Sequence, residues 1–204
     1  MKTNYANMFD SETDKIKNYN KKPKLLLHSC CAPCTSSVIE FVNEFFDTTL
    51  FFYNPNIYPE SEFLFRSAEL KRLISEMNAD DIDIYIADYN NDEFEEIAKG
   101  YEHMPEGQLR CERCYRLRLE KSIKYASENG FDYVTTTLSV SPHKNAELLN
   151  SIGRELAEKY GIKYLFSDFK KKNGYKRSCE LSRKYNLYRQ NYCGCKYSKK
   201  TTGE

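Results

Sequence analysis

The chain has no tryptophan, no long apolar run and no stretch rich in proline, glycine and serine that would separate two domains. Without a window of eighteen or so apolar residues it has no candidate membrane span. Its polar N-terminus lacks the apolar core of a signal peptide. We therefore expect a cytoplasmic protein with one domain at 23–198, preceded by a polar extension at 1–22 and followed by a tail at 199–204.

Cysteine is the residue that the chain has in excess, with eight in 204 residues. Seven of them form three groups along the chain. These groups are Cys30, Cys31 and Cys34; Cys111 and Cys114; and Cys193 and Cys195. A reducing cytosol disfavours structural disulfides, so metal binding or redox catalysis is the better explanation for them.

Apolar runs alternate with helical patterns along the chain. The predicted strands are 24–28, 49–53, 83–87, 133–137 and 162–166. The predicted helices are 35–46, 60–78, 92–99, 111–128 and 145–160. This order predicts an α/β fold with a mostly parallel sheet and helices on both faces. Ligands of such sheets bind at the carboxyl ends of the strands, which is where Cys30 and Cys31 follow the first strand.

Two kinds of metal site suit these thiols. Cys30, Cys31, Cys111 and Cys114 together supply the four thiolates that a [4Fe-4S] cluster takes. A structural zinc ion would instead use Cys34 in place of Cys30, because the four ligands then form two C-x-x-C pairs. The extra Cys30 and the later C-x-C pair favour the cluster.

Redox chemistry at the thiols themselves is a further possibility. A thioredoxin-like C-x-x-C enzyme is disfavoured by the missing tryptophan and by the number of βα units. A disulfide between Cys193 and Cys195 would be strained and would exchange easily, so this pair is a candidate for cycling during turnover. Alternatively, Cys193 and Cys195 join Cys34 as ligands of a second metal.

Charge is distributed unevenly. From residue 163 onward there are twelve Lys and Arg against three Asp and Glu, whereas the preceding residues carry a net charge of −8. The basic segment also contains six tyrosines. Basic side chains between aromatic rings suit unpaired RNA, since they neutralise phosphates and stack on bases. The alternative to RNA binding is that these residues form only a solvated, lysine-rich surface.

Four motifs in order resemble those of the QueH-type epoxyqueuosine reductases. They are His28-Ser29-Cys30-Cys31-Ala32-Pro33-Cys34, Asn54-Pro55-Asn56-Ile57-Tyr58-Pro59, Cys111-x-x-Cys114-Tyr115-x-Leu117-Arg118 and Tyr188-Arg189-Gln190-x-Tyr192-Cys193-Gly194-Cys195. The resemblance covers roughly residues 24–198. It implies a Rossmann-like fold and the reduction of epoxyqueuosine to queuosine in tRNA, the last step of queuosine synthesis.

The resemblance also implies roles for individual residues. Cys30, Cys31, Cys111 and Cys114 correspond to the ligands of a [4Fe-4S] cluster, and Cys193 with Cys195 to a redox-active pair. An adjacent mononuclear iron is implied as well, for which Cys34 is a possible ligand here, although relatives can have an aspartate at this position. The chain lacks a glycine-rich phosphate loop, so we predict no use of ATP.

The implied reaction indicates which partners the protein needs. Removing the epoxide oxygen takes two electrons and two protons, so an electron-donor protein or another reductant is needed. The substrate base lies in the anticodon loop, where unpaired bases are open to stacking. We expect the loop phosphates to bind a set of basic residues near the end of the chain. These are Lys170, Lys171, Lys172, Lys176, Arg177, Arg183, Lys184 and Arg189.

Overall fold

The computed structural model describes residues 3–199 as one five-stranded sheet covered by helices. All strand pairs are parallel, and the strand order is β3-β2-β1-β4-β5. The strands are β1 (Lys24–His28), β2 (Asp47–Phe52), β3 (Asp83–Ile86), β4 (Tyr133–Thr136) and β5 (Lys163–Tyr164). The predicted α/β fold with a parallel sheet is thus confirmed.

Seven α-helices connect and flank the strands of the described part of the chain. They are α1 (Tyr5–Ile16), α2 (Ala32–Val42), α3 (Glu60–Glu76), α4 (Asp92–Ala98), α5 (Leu109–Glu128), α6 (Ala146–Tyr160) and α7 (Gly174–Lys184). Short 3-10 turns follow β4, at Thr137–Val140, and the last cysteine, at Lys196–Ser198. None of the helices within residues 3–199 has both the length and the apolar character needed to cross a membrane.

The central strand β1 explains why the sheet is covered on both faces. Leu25, Leu26 and Leu27 are all fully buried. Leu25 and Leu27 pack with residues of α1, α2 and α3, whereas Leu26 packs with residues of α5 and α6. Successive strand side chains point to opposite faces, so a continuous apolar run requires helices on both sides.

The N-terminal segment differs from the expected polar extension. Helix α1 lies on the domain, with Phe9 packed edge-on against Phe169 at 5.5 Å between ring centroids. Tyr133 of β4 donates a hydrogen bond to Glu12 of α1 at 2.6 Å. The sequence pattern missed this helix because its buried face is narrow, a single row of residues spaced three or four apart. The predicted tail at 199–204 lies outside the described residues except for Lys199.

Most predicted elements agree with the structure to within a few residues. Strand β1 has the predicted bounds, whereas β5 is only two residues long instead of five. Helix α2 begins at Ala32, three residues earlier than predicted, so that Cys34 lies inside the helix. Helix α7 follows the surface turn around residue 172 and was not assigned from the sequence.

Replacing Phe9 with alanine tests whether α1 belongs to the folded domain. We expect Phe9→Ala to lower the free energy of unfolding by about 3 kcal/mol, because a buried phenyl ring leaves a cavity. Tyr19→Ala is the control, since Tyr19 is 48% exposed and such a change costs less than about 0.5 kcal/mol. Urea denaturation of both variants measures the difference, and equal midpoints would show that α1 contributes nothing to the domain.

Candidate functional site

The first group of thiols lies where β1 ends and α2 begins. Cys31 has extended backbone angles and is the N-cap residue of α2, which starts with Ala32 and Pro33. Proline is well tolerated in the first turn, where its missing N–H has no helical partner. Asn54, after β2, donates a hydrogen bond from Nδ2 to the Ser29 carbonyl at 2.9 Å. The thiol-bearing turn is therefore held against the neighbouring strand.

Cys30, Cys31 and Cys34 form a compact sulfur cluster. Their Sγ atoms all lie within 4.8 Å of one another, with Cys30 and Cys31 at 3.8 Å. Thr137 donates a hydrogen bond from Oγ1 to the Cys30 sulfur at 3.2 Å. Hydrogen bonds from Cys30 and Cys34 lower the pKa of Cys31, whereas the bond to Cys31 raises the pKa of Cys30 to about 12. Three thiols this close are suited to a soft metal ion.

The second group combines the first turn of α5 with the loop that precedes Lys196–Ser198. Cys111, Cys114, Cys193 and Cys195 line one narrow cavity. The Gly107 amide donates a hydrogen bond to the Cys111 sulfur at 3.2 Å. Burial raises the pKa of Cys114 to about 12. All eight cysteines lie within the described residues, and no disulfide joins any two of them.

The two groups adjoin across a larger cavity of about 550 Å³. Cys30, Cys31 and Cys34 line this cavity, and Cys193 lines both it and the narrow one. The predicted ligand set is thus divided between the two groups, with Cys30 and Cys31 in one and Cys111 and Cys114 in the other. The two groups meet at Cys193. Cys179 on α7 lines neither cavity.

Three buried arginines surround the thiols. Arg66, Arg110 and Arg118 are the largest fully buried side chains among the described residues. Arg66 pairs with Glu62 at 2.7 Å. Arg110 donates to backbone carbonyls, including that of Glu102 at 2.8 Å. Arg118 donates to the side-chain oxygen of Asn54, and its Nε has no hydrogen-bond partner.

The Cys193-Gly194-Cys195 loop is held from two sides. Arg66 Nη1 donates to the Cys193 carbonyl at 3.3 Å, and the Tyr58 amide donates to the Gly194 carbonyl at 3.0 Å. Gly194 has φ +120°, which other residues rarely adopt. A Cβ atom there would lie 3.0 Å from Ile57 Cγ1 and 3.1 Å from Arg66 Nη1. Only glycine therefore fits between the two cysteines.

A buried lysine contacts one cysteine of this loop. Lys144 Nζ lies 3.1 Å from Cys193 Sγ and 2.9 Å from a Glu106 carboxylate oxygen. Burial lowers the pKa of Lys144, but the negative charges of Cys193, Tyr115 and Glu106 outweigh this and raise it. Lys144 is therefore a fixed positive charge beside Cys193 and not beside Cys195.

His28 has a structural role. His28 Nε2 donates to the Tyr53 carbonyl at 3.1 Å, because a carbonyl oxygen can only accept. In the neutral ring Nδ1 is then the acceptor, and the Thr136 hydroxyl donates to it at 2.8 Å. Burial and the positive charge of Arg118 hold the pKa of His28 well below its usual value. The imidazole is therefore neutral, and both of its nitrogens are hydrogen-bonded.

The eight predicted RNA-binding residues divide into two classes. Three are paired with carboxylates: Lys170 with Asp168, Lys172 with Asp10, and Arg177 with Glu40. The other five form no ion pair with any described residue, and they are Lys171, Lys176, Arg183, Lys184 and Arg189. Of all eight, Arg189 lines the large cavity, together with Tyr175 and Tyr192.

Two charged residues of the site were not singled out from the sequence. Arg118 follows Cys114 by four residues and Cys111 by seven on α5, so it shares their helix face. That spacing would have indicated a charged residue facing the thiols. Lys144 lies in the turn before α6 and carries no such signal, because only the fold brings it to Cys193.

Comparison with known proteins identifies similar chains. A family model described as epoxyqueuosine reductase QueH matches residues 25–201. An epoxyqueuosine reductase QueH from Streptococcus pyogenes is 40% identical over 205 residues, which cover 99% of this chain and 80% of that protein. The QueH proteins of Staphylococcus epidermidis and Acinetobacter baylyi are 40% and 41% identical, over 97% and 92% of this chain and over 85% and 86% of their own lengths.

Gly194→Ala tests how far the C-x-C loop depends on its close contacts. We expect a loss of about 1–3 kcal/mol in unfolding free energy from the backbone strain, and a displaced loop. The buried Cys195 thiol should then react faster with iodoacetamide. Gly130→Ala is the control, since Gly130 also has positive φ but open space around its Cα. Equal effects of the two changes would mean that the close approach to Ile57 and Arg66 is unimportant.

Proposed function

We infer that this chain, which belongs to the epoxyqueuosine reductase QueH family, is an epoxyqueuosine reductase that acts on tRNA. The observation that carries this conclusion is the gathering of seven thiols along two adjoining cavities at the carboxyl edge of a parallel sheet. Soft sulfur donors of this number suit an iron-sulfur or zinc site and redox chemistry. The cavity has room for a nucleobase, and tyrosine rings line it.

We propose that Cys30, Cys31, Cys111 and Cys114 hold a [4Fe-4S] cluster. The donor set supports this assignment, because all four are thiols and at least partly buried. The buried Arg118, without a carboxylate partner, also favours an anionic group at this place. Cys34 lies with Cys30 and Cys31 and is available to an adjacent mononuclear iron. The cluster would pass electrons one at a time, and the iron would act as a Lewis acid toward the epoxide oxygen.

Cys193 and Cys195 are suited to supply the reducing equivalents of one turnover. Oxidation of the two thiols to a disulfide releases two electrons and two protons. Breaking both carbon-oxygen bonds of the epoxide consumes these, leaving an alkene and one water molecule. An electron-donor protein or a small reductant then restores the dithiol.

The tRNA anticodon loop would reach the cavity past the basic C-terminal part of the chain. Arg189 and Tyr175 stand at the cavity, with the guanidinium 5.9 Å from the ring centroid. Unpaired bases stack on tyrosine rings, and arginine pairs with phosphates. We propose that the unpaired cations Lys171, Lys176, Arg183, Lys184 and Arg189 contribute most to binding, whereas Lys170, Lys172 and Arg177 contribute less because carboxylates already neutralise them.

Two other functions remain as alternatives to be tested. A structural zinc ion in an RNA-binding protein would use Cys31, Cys34, Cys111 and Cys114, and the position of Cys34 beside Cys31 is the observation that favours it. A thiol-disulfide oxidoreductase would need only the free thiols and no metal. These alternatives predict different metal contents and different effects of replacing Cys30 and Cys34.

Single cysteine-to-serine variants separate these possibilities. Purified anaerobically, the protein is expected to contain about four iron and four sulfide per chain and to reduce epoxyqueuosine in tRNA. Cys30→Ser should lose the cluster and activity, whereas Cys34→Ser should keep the cluster. Cys179→Ser, outside both cavities, is the control and should behave like the unmodified protein.

Metal analysis, optical spectra and the tRNA assay on the same preparations decide the outcome. One zinc without sulfide, lost on replacing Cys34 and kept on replacing Cys30, would favour the zinc protein. Reductase activity that persists without any bound metal would instead favour thiol chemistry alone.

Charge reversal tests the RNA-binding surface. We expect Lys176→Glu with Arg189→Glu to weaken tRNA binding by at least tenfold and to reduce the slope of log K against log salt by about 0.7 for each phosphate that the protein no longer neutralises. Lys124→Glu, near the far end of α5, is the control for overall charge. Gel-shift titrations at several salt concentrations measure both quantities. Unchanged affinity and slope in the double variant would remove this surface from the proposed tRNA site.

A further inference from the structure

We propose that Arg118 is the counter-charge of the thiolate-bound metal centre and sets how readily that centre accepts an electron. This assignment rests on the proposed function, because it requires an anionic metal centre between the two thiol groups. It gives a role to the arginine that ends the motif of Cys111 and Cys114 and to which no role is assigned from the sequence. Arg118 would act as a positioning and tuning residue through electrostatics and not as a ligand.

The charged side chain of Arg118 is buried beside the thiols. Arg118 is only 2% exposed and lies on the face of α5 that also carries Cys111 and Cys114. It lines the large cavity together with Cys30 and Cys193. A guanidinium is always charged at neutral pH, so this positive charge has been taken out of water. Burying a charge is costly unless another group compensates for it.

The lack of a protein carboxylate beside Arg118 is the second observation. Its only hydrogen bond to a described side-chain oxygen goes to the neutral amide of Asn54, and its Nε has no partner. Arg66, which is equally buried, pairs with Glu62, and the exposed Arg116 pairs with Glu155. Arg110, also buried, has no acidic partner within residues 3–199 either, but three backbone carbonyls accept hydrogen bonds from it, whereas Arg118 has only the Asn54 amide oxygen. The sulfurs are the remaining source of negative charge.

The surrounding thiols agree with this interpretation. Four thiolates around an iron-sulfur or zinc core leave a net negative charge on the centre. A positive charge beside it stabilises the reduced form of a cluster more than the oxidised form, because the reduced form is more negative. Removing Arg118 should therefore make the cluster harder to reduce.

Variants at two positions separate charge from packing. Arg118→Gln removes the charge, and Arg118→Lys keeps it with a different shape. Asn54→Asp leaves Arg118 in place and neutralises it with a carboxylate of almost the same size as the amide. Because it also loses the hydrogen bond from Nδ2 to the Ser29 carbonyl, it is compared with Asn54→Leu, which loses that bond without adding a charge and should shift the equilibrium less. Arg116→Gln is the matched control, since it removes an exposed arginine from the same helix. Each protein is purified anaerobically, analysed for iron, zinc and sulfide, and titrated optically with a reductant in the absence of tRNA.

The expected result is a shift in the one-electron reduction equilibrium. Arg118→Gln and Asn54→Asp should disfavour reduction by at least tenfold, which corresponds to about 59 mV for a one-electron couple. Arg118→Lys and Arg116→Gln should stay within about twofold of the unmodified protein. Because the titration contains no tRNA, a role of Arg118 in holding substrate would not produce these shifts.

Three results would overturn the assignment. One is full cluster content in Arg118→Gln and Asn54→Asp with equilibria within twofold of the unmodified protein. Another is an equal loss of iron from Arg118→Gln and Arg118→Lys while Asn54→Asp titrates like the unmodified protein, since shape and not charge would then matter. A shift as large in Arg116→Gln would show that position on the helix is irrelevant.

Failure of the proposed function is seen separately, in the unmodified protein. If that protein holds zinc and no sulfide, the cluster is absent, and the same variants are compared by chelator competition for zinc. Zinc binding at least tenfold weaker in Arg118→Gln than in Arg118→Lys would still support the counter-charge. Equal zinc affinities would overturn it.

Discussion

The side chain of Asn54 joins the two halves of the thiol site. Its Nδ2 donates to the Ser29 carbonyl, in the turn that carries Cys30 and Cys31. Its Oδ1 accepts from Arg118 of α5, the helix that carries Cys111 and Cys114. One buried amide at the end of β2 thus sets the distance between two cysteine-bearing segments that are far apart in sequence. The amide is 1% exposed, so water does not compete for either bond.

The Cys193-Gly194-Cys195 loop completes the site, because contacts with three other segments hold it in place. Arg66 holds the Cys193 carbonyl, the Tyr58 amide holds Gly194, and Lys144 contacts the Cys193 sulfur. Three separate segments therefore converge on one short loop. Such convergence suits a redox pair, since a dithiol must be placed close to both its electron source and its substrate. It also explains why Cys193 lines both cavities.

Much of the fold was predictable from local patterns. The run Leu25, Leu26, Leu27 indicated a doubly covered strand, and the structure buries all three on β1. Helix α1 was not predictable in this way, because its polar sequence hides a narrow face that becomes buried only against Phe169 and the sheet. Strand β5 was overestimated, since only Lys163 and Tyr164 pair with β4, although the apolar pattern continues to Phe166.

Residue types and short-range periodicity are enough to predict the kinds of donor atoms at the site, the parallel sheet, and the placement of Cys30 and Cys31 at the carboxyl end of β1. These properties need no knowledge of distant contacts. The grouping of the thiols, the neutralisation of some cations in the basic segment, and the position of Arg118 and Lys144 beside the thiols arise only in the folded chain. Charges and hydrogen bonds act over a few ångströms in space, and residues tens of positions apart in sequence come within that range only when the chain folds.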